Sequence, residues 1–482
     1  MNFDAIATKA VNALARHEGK KLLKKNGPSK PFEPVQPTVM KNKVDDKFRC
    51  GFSSKITMPV DIKAKEYILA GHKTGKTVEG VLDPLTVSAV WLDCKDNGGI
   101  VIIGADIVGL AGMEINEIRN RLSDFSRKTG CKSINICCTH NHAGIDTLGY
   151  WGKALVGPIP SNGKDPEYME ILFNNIVKCC EEAYENRKEG TLSVGTKHIE
   201  DAVYRRRQPL YARDVMTRIR FTPDDGSEET WIINFGAHPN TMGGSNRLVS
   251  AEYPGYLRAK INETKKTNVL FGIGAIAAVD PGMYSEDNYE RARIEGEKLA
   301  EAALSIDNDV ALSADITVLR QPYYAPIENG VLALMGIIKT VNYDRAHCAD
   351  SSLGVALKTE MTYIRIGSLE ILLLPGEAAP EFVFGNYSSA EESATGMGPE
   401  VNAKPLVEVA GNENLVVFGV SNDMTGYMIP LNDFVLNEEA PYMSNGKDRF
   451  GNGHYHETNS LGINTTQVVS DVFAGIIERV KG

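Results

Sequence analysis

The stretch SINICCTHNHAG at residues 133–144 joins a strand pattern to a pair of histidines. Residues 133–138 form a short run rich in apolar residues, which predicts a β-strand, and a loop rich in His and Gly follows. If the backbone stays extended there, His140 and His142 point to one face, because side chains alternate along a strand. Two adjacent imidazoles are costly when both are protonated, so a metal ion or a division of roles explains the pair. Ordinary surface or capping histidines explain it about as well.

The rest of the chain alternates short β-rich runs with helical patterns. Strands are predicted at residues 87–92, 100–103, 133–138, 215–221 and 230–235, with two more within 362–374. Helices are predicted at residues 112–129, 167–186 and 287–304 and at the end of the chain. The pattern predicts a mixed fold of the α/β (α+β) class. We expect mixed β-sheets flanked by helices in a single large domain with long loops.

Composition narrows the function classes. The chain has 482 residues and a formal net charge of −10, which argues against nucleic acid as a partner, because phosphate binding needs a clustered positive field. None of the eight cysteines forms a CxxC pair, as expected of buried thiols in a reducing compartment. The first thirty residues contain no continuous apolar segment of a secretory signal, and no run is long enough to span a bilayer. We therefore expect a cytoplasmic protein.

Residues 1–45 differ in character from the remainder. Phe3, Ile6, Ala10 and Leu14 recur at helical spacing, and a proline-rich stretch that reads as an extended linker follows. We favour an amphipathic helix that packs on the body or on a second subunit. Peripheral contact of residues 1–25 with an anionic membrane is the alternative. A homo-oligomer is therefore one possible form of the protein.

Three further segments carry residues that could bind a metal. His238 lies in NFGAHPN, just beyond a β-rich run, Glu377 ends the apolar run LLLPGE, and Tyr427 ends NDMTGY in a long irregular loop. Each is weak in isolation, since a turn glutamate or a half-buried tyrosine is common. Together, two histidines and one carboxylate make the ligand set of a catalytic zinc and leave room for water and an added ligand. Three of the four segments lie at strand ends, where loops usually carry active sites.

The same segments, in this order, carry a family resemblance. THNHAG, NFGAHPNT with SNRLVS behind it, LPGE and GYMIP resemble the catalytic domain of the neutral/alkaline non-lysosomal ceramidases. The earlier segments ILAGH at residues 68–72 and GAD at 104–106 fit as well. The match spans roughly residues 47–460. Four separated motifs in register make the resemblance specific, although each motif is short.

The resemblance implies a role for each matching position. His140, His238, Glu377 and Tyr427 would hold one Zn²⁺ per chain. His142 would stand beside the zinc-bound water or the scissile carbonyl, where it would polarise the carbonyl or return a proton to the leaving amine. Tyrosine is an uncommon zinc ligand, so Tyr427 is the most unusual of these assignments.

Further assignments concern the surroundings of the metal. Arg205, Arg206 and Arg207 fall where the family has an arginine facing the site. The sequence does not say which of them matches; we assign Arg206 a catalytic role and Arg207 a role in binding substrate. Near the position of a family tyrosine that lines the pocket, we expect Tyr455 or His456 to contact substrate, and we assign Tyr455.

One segment departs from the family pattern. Where ceramidases have Gly-Asp-Val-Ser-Pro-Asn, this chain has AAVDPG, so Asp280 replaces the serine. We include Asp280 among the catalytic candidates, as a general base, an added ligand or a residue that hydrogen-bonds the loop. An acid bonded to a ligating imidazole would fix its tautomer, and Glu252 or Asp106 is the candidate. The unassigned histidines are interpreted as surface or packed residues: His17, His72, His198 and His347.

These expectations define a hypothesis about function. Residues 46–482 would form a ceramidase-like zinc hydrolase domain without the C-terminal β-sandwich of secreted ceramidases. It would cleave a C–N amide bond in a small-molecule or lipid N-acyl amide similar to ceramide, using water activated by the metal. Hydrolysis of an ester or lactone by the same zinc is the first alternative. A binding protein that has lost the chemistry is the second, and the replacement of serine by Asp280 is the feature that supports it.

Overall fold

The computed structural model describes residues 3–42, 44–95, 98–156 and 159–482. Its α-helices are α1 (Phe3–Asn26), α2 (Gly112–Arg121), α3 (Ser123–Thr129), α4 (Pro166–Glu185), α5 (Glu252–Thr264), α6 (Asn288–Leu304), α7 (Gly330–Ile337), α8 (Pro380–Phe384), α9 (Leu406–Ala410) and α10 (Thr465–Lys481). Its strands are β1 (Thr38–Lys41), β2 (Phe48–Ile56), β3 (Gly80–Val81), β4 (Thr86–Asp93), β5 (Gly99–Ala105), β6 (Ser133–Cys138), β7 (Ala154–Val156), β8 (Ile159–Pro160), β9 (Lys188–His198), β10 (Val203–Arg205), β11 (Val215–Pro223), β12 (Thr230–Phe235), β13 (Leu248–Val249), β14 (Asn268–Ile273), β15 (Val279–Pro281), β16 (Val310–Ala311), β17 (Asp315–Pro326), β18 (Arg345–His347), β19 (Val355–Ile366), β20 (Leu369–Leu373), β21 (Glu377–Ala378), β22 (Val416–Phe418), β23 (Tyr427–Met428), β24 (Gly446–Lys447) and β25 (Gly453–His454).

The larger sheet carries the histidine motifs. Its strand order is β14-β12-β11-β9-β2-β4-β5-β6, with β16 added beside β9. The pairs β5–β6 and β12–β14 are parallel and the others are antiparallel. Every residue of β5, β6 and β12 is buried, as the continuous apolar runs predict. Strand β14, at one end of the order, also packs against β4, β5 and β6 at the other end, so the sheet is curled.

A close backbone approach allows the curl. A Cβ on Gly104 of β5 would lie 2.9 Å from the side chain of Leu270 in β14, so a larger residue there would require Leu270 to shift. The curl brings the loops that follow β6 and β12 toward each other. The two histidine motifs, which are about a hundred residues apart in the chain, therefore meet at one end of the sheet.

The smaller sheet covers one face of the larger one. Its order is β1-β17-β19-β20-β22, with β18 paired to β19. Apolar residues of β4 and β5 form one core with residues of β17, β19 and β20. Helix α4 packs on β2 and β4, and α10 packs on β17. The predicted class is confirmed: mixed sheets flanked by helices form a single domain. The helix predicted at residues 287–304 is α6, which begins at Asn288, and β11–β12 form the expected antiparallel pair.

The apolar stripe of the first helix does not face the body of this chain. Phe3, Ile6 and Leu14 are 69%, 48% and 53% exposed. The buried residues lie on a different face and are mostly small or polar: Thr8, Val11, Ala15, Glu18 and Gly19. Helix α1 packs on α7 and β18 through this face, and the side chain of Gln321 holds the following segment on the body by bonding Val35 and Glu33. No helix in the described ranges is both long and apolar enough to cross a membrane. The domain boundary at residue 45 stays a prediction.

Gly19 is where α1 approaches the body most closely. A Cβ at this position would lie 2.6 Å from the carbonyl oxygen of Leu353 and 2.8 Å from that of Gly354. We expect Gly19→Ala to lower the free energy of unfolding by about 1–3 kcal/mol, because overpacking against backbone outweighs the ~1 kcal/mol that alanine gains over glycine in a helix. Urea unfolding measures this, with Lys20→Ala on the exposed side of the same turn as control. A Gly19→Ala protein as stable as the parent would contradict the tight contact.

Candidate metal and hydrolytic site

The chain turns at His140 rather than continuing as a strand. Strand β6 ends at Cys138, and His140 has a φ of 59°, in the left-handed region. The expectation of an extended backbone is therefore wrong. The turn is held from outside, because the Asn141 N–H donates to the carbonyl of Ile107 at 3.2 Å and the His142 N–H donates to that of Pro239 at 2.9 Å. The rings of His140 and His142 still lie together, with centroids 4.7 Å apart.

Backbone carbonyls fix both predicted histidine ligands. Nδ1 of His140 lies 2.7 Å from the carbonyl oxygen of Val108, and Nδ1 of His238 lies 3.0 Å from that of Val279. A carbonyl can only accept, so each Nδ1 carries the proton and each Nε2 faces the site. Histidines that bind a metal usually donate their other ring N–H to a carbonyl or carboxylate, which fixes the tautomer in the same way.

The acids expected to hold these imidazoles lie elsewhere. Both carboxylate oxygens of Asp106 bind the Arg258 guanidinium, at 3.0 and 2.6 Å. Glu252 accepts the backbone N–H groups of Thr241 and Met242 and so orders the loop after His238. Burial raises the pKa of Glu252 to about 7. Neither acid contacts a predicted ligand, and that expectation is wrong.

A short parallel ladder joins Glu377 to Tyr427. Strand β20 leads into the Pro-Gly turn, and β21 then pairs with β23 so that Glu377 and Tyr427 are direct partners. Glu377 is 2% exposed. Its two oxygens lie 2.8 Å from Nε2 of His238 and 3.4 Å from Nε2 of His140. Burial, followed by the neighbouring Glu377 and Tyr455, raises the pKa of the Tyr427 hydroxyl well above its usual value. The four predicted ligands therefore come together around one carboxylate.

This donor set fits a divalent cation. With the protons on Nδ1, the Nε2 lone pairs of His140 and His238 point at the carboxylate of Glu377, which is repulsive unless a proton or a cation lies between them. His142 adds to the set, since neither of its ring nitrogens has a hydrogen-bond partner among the described residues, although both are shielded from solvent. One nitrogen from each of His140, His142 and His238 lies within 4.8 Å of the others. Imidazole and carboxylate are typical zinc ligands.

Electrostatics distinguish the groups of the site. Burial would raise the pKa of Glu377, but the neighbouring His140 and His238 hold it well below its usual range. Burial would lower the pKa of His238, but the hydrogen bond and charge of Glu377 raise it. Burial, together with the other histidines, places the pKa of His142 well below the usual value. Its surroundings therefore keep the His142 ring neutral.

Asp280 belongs to a hydrogen-bonded unit with Arg206. Strands β10 and β15 pair side by side, and the Arg206 backbone N–H donates to Ala278 at 3.2 Å. The Arg206 Nε–H donates to one oxygen of Asp280, and the side-chain amide of Asn240 donates to the other at 2.8 Å. The structure contains the hydrogen bonds of the third option, and the roles of Asp280 as a general base or an added ligand stay predictions. Asp280 lies outside the three-histidine group.

The three arginines have three different environments. Arg205 forms a buried bidentate ion pair with Glu381. Arg207 is bound by His454, His456 and Glu457 and does not line the cavity in the described structure. Arg206 does line it, so Arg206 is the arginine that faces the site. The assignment of Arg207 to substrate binding is corrected, because its donors are already used to fix the loop after Phe450.

A cavity of about 470 Å³ opens in front of these residues. Part of its wall is apolar and comes from α7 and from the loop after the THNH motif: Leu148, Tyr150, Trp151, Pro160, Val331, Leu332 and Met335. The remainder is polar and includes His72, Thr74, His142, Arg206, Asn240, Asp280 and Tyr455. Such a cavity can hold an amphiphilic molecule with a reacting group near the histidines.

Two assignments beside the cavity have different outcomes. Tyr455 lines it and is 39% exposed, whereas His456 is buried behind, with its ring stacked on Tyr455 at 3.9 Å. His72, interpreted from sequence as a surface or packed residue, lines the cavity with its ring 5.5 Å from that of His142. The segment ILAGH contains His72, but nothing in its spacing indicates a role. A role for His72 could have been predicted only from its position in a segment that fits the family pattern.

Comparisons with known proteins agree with this architecture. Residues 88–282 match the family described as neutral/alkaline non-lysosomal ceramidase, N-terminal. The neutral ceramidase from Pseudomonas aeruginosa has the same fold, with a TM-score of 0.68 and 15% identity over 91% of this chain and 75% of that chain. A ceramidase complexed with C2 matches with a TM-score of 0.67 and 15% identity, over 91% of this chain and 76% of that chain.

By fold, the protein is ceramidase-like. Over residues 88–282 it resembles the neutral/alkaline non-lysosomal ceramidase family. The family match includes His140, His142 and His238 and ends before Glu377 and Tyr427. The placement of the last two beside the histidines is therefore a finding of the structure.

Proposed function

We propose that the protein hydrolyses an N-acyl amide with one zinc ion held by His140, His238, Glu377 and Tyr427. The observation that carries the proposal is the carboxylate of Glu377, which faces both Nε2 atoms in a cavity wall and belongs to the residue paired with Tyr427. A zinc ion bound there would supply a Lewis acid that polarises a carbonyl and lowers the pKa of a bound water to about 7.

The side chains around the metal position supply the remaining chemistry. His142 is neutral and has no other partner, so its imidazole can take a proton from the attacking water and return it to the leaving nitrogen. Water adds to the carbonyl carbon, the C–N bond breaks, and a carboxylic acid and an amine leave. Arg206 contributes donors to the polar part of the cavity, and Tyr455 borders the entrance. The apolar wall receives the acyl chain.

An amide is favoured over an ester or lactone by the position of His142. An amine is a poor leaving group until its nitrogen is protonated, whereas an alkoxide or a ring-opened alcohol needs this help less. The ceramidase complexed with C2 has the same fold, which supports a lipid amide as substrate. Cleavage of esters alone in a substrate panel would favour the alternative, and binding without any cleavage would favour a binding protein.

Three further expectations remain proposals. We place the protein in the cytoplasm, supported by eight cysteines among which the structure forms no disulfide. Contact of residues 1–25 with a membrane and formation of a homo-oligomer also stay predictions.

Replacing His142 tests the proposed proton transfer. We expect His142→Ala to lower kcat by about 10²–10⁴-fold while zinc stays bound, because the four proposed ligands are unchanged. The measurements are initial rates on N-acyl amides and metal content per chain. His198→Ala is the control, since the His198 side chain is 65% exposed. Near-parental kcat in His142→Ala would contradict the role, and loss of zinc would make His142 a ligand.

A further inference from the structure

The polar part of the cavity contains an arginine with open donors. The Nε–H of Arg206 is bound to Asp280, and the Arg206 side chain is 47% exposed. Among the residues that the structure describes, none accepts a hydrogen bond from the two terminal nitrogens of Arg206. Because Arg206 lines the cavity, its Nη1 and Nη2 groups are available as donors to a ligand there.

Asp280 holds this guanidinium in place. Asp280 is 4% exposed, lies in the β10–β15 pair, and is itself bound by Asn240 at 2.8 Å. The Arg206 backbone is tied to Ala278 on the same loop. An arginine positioned in this way loses little conformational freedom when it binds a ligand, and its planar fork suits a bidentate acceptor.

The neighbouring charges favour an anion. Lys76 and Arg206 both act on His72, and only Asp280 opposes them. Burial, followed by these two cations, lowers the pKa of His72 to about 4. Lys76 and Arg206 thus place positive charge near His72, which Asp280 partly balances.

Hydrogen-bonding capacity distinguishes a carboxylate from a hydroxyl group. A hydroxyl group offers the Arg206 fork a single neutral oxygen, whereas a carboxylate offers two charged ones. A carboxylate only accepts, which is what the open Nη groups require. The volume of about 470 Å³ lies in the usual range of about 300–1,000 Å³ for pockets that enclose drug-sized ligands, so it suits one acyl chain and a compact polar group.

We propose that Arg206, positioned by Asp280, selects N-acyl amides whose amine part carries a carboxylate, that is, N-acyl amino acids. This inference rests on the proposed amide hydrolysis and narrows its substrate class. The acyl chain lies along Leu148, Trp151, Leu332 and Met335, and the carboxylate lies on the Nη groups of Arg206. Hydrolysis then releases a fatty acid and an amino acid with consumption of one water.

A matched substrate pair tests the selection. N-acylglycine and N-acylethanolamine with the same acyl chain differ only in a carboxylate against a hydroxymethyl group. We expect the parent to prefer the acid at least tenfold in kcat/KM. Arg206→Gln should reduce the ratio of the two kcat/KM values by about 10–100-fold, mainly through the KM of the acid, because a hydrogen bond to a charged group is lost. Arg206→Lys should restore only part of the ratio, since lysine keeps the charge and loses the fork.

Two further measurements make the result decisive. Arg16→Gln removes the same charge from the exposed side of α1 and should leave the ratio unchanged. Equilibrium binding of both compounds to the parent and to Arg206→Gln measures selection without turnover. Equal affinity of the parent for acid and alcohol, or a preference for the alcohol, would overturn the inference. Tighter binding of the acid that depends on Arg206 would support it even if neither compound is cleaved, a result that would count against the proposed hydrolysis instead.

Discussion

Glu377→Gln is expected to bind less than stoichiometric zinc and to lose at least about 10³-fold in hydrolysis, equivalent to several kcal/mol of transition-state stabilisation. The reason is the position of this carboxylate, 2.8 Å from Nε2 of His238 and 3.4 Å from Nε2 of His140. Gln has the same shape but no charge, and its amide NH₂ group replaces one acceptor. Metal content per chain and initial rates on an N-acyl amide measure the two losses.

The control for this prediction is a glutamate with the same chemistry and no contact with the site. Glu391 is exposed, and Glu391→Gln should keep both zinc and activity. Restoring zinc to chelator-treated parent protein should recover its activity, whereas the same treatment of Glu377→Gln should not. Full zinc occupancy with a rate close to that of the parent in Glu377→Gln would remove the carboxylate from the ligand set and the proposed site with it.

The local sequence pattern predicted the strands correctly but not the backbone conformation of the loops that follow them. Residues 133–138 are a strand with the predicted bounds. Every residue of this apolar run is buried, as expected of a strand inside a sheet. The left-handed turn at His140 could not be predicted, since it is fixed by hydrogen bonds to Ile107 and Pro239. The two histidines nevertheless converge, through the loop and not through strand alternation.

The buried face of helix α1 is a second feature that the sequence pattern did not predict. Hydrophobicity favoured the face with Phe3, Ile6 and Leu14, but the structure buries the face with Ala15 and Gly19. Small residues let the helix backbone come within contact of the loop after β18. The orientation of α1 therefore depends on the close approach of its backbone to the body, and an apolar stripe in the sequence does not indicate such an approach.

The sequence predicted which residues form the candidate site but not which of them are neighbours in space. Glu377 and Tyr427 are neighbours because β21 and β23 pair in parallel, and no spacing along the sequence indicates such a ladder. The consecutive arginines are a different case. The outer two, Arg205 and Arg207, bind buried acids, and the middle one, Arg206, faces the cavity, consistent with the two-residue alternation of extended chain. Their partner acids are distant in sequence, so only the structure could choose among the three.

The ion pair between Arg205 and Glu381 provides the second large effect, this time on stability. The Nη atoms of Arg205 lie 2.7 and 2.9 Å from the two carboxylate oxygens, and both side chains are 2% exposed. Glu381 belongs to α8, directly after the strand that carries Glu377, while Arg205 directly precedes Arg206. The pair therefore joins the segment of a predicted zinc ligand to the arginine that faces the cavity.

Arg205→Met is expected to lower the free energy of unfolding by about 3–5 kcal/mol, because it leaves the Glu381 carboxylate buried without its partner. The double variant Arg205→Met/Glu381→Leu should recover most of this loss, since apolar residues of similar volume often replace a buried ion pair at little cost. Urea unfolding of the parent, both single variants and the double variant, all saturated with zinc, gives the coupling energy directly. A loss below about 1 kcal/mol in Arg205→Met, or a double variant less stable than either single variant, would show that this pair does not hold α8 against the loop that carries Arg206.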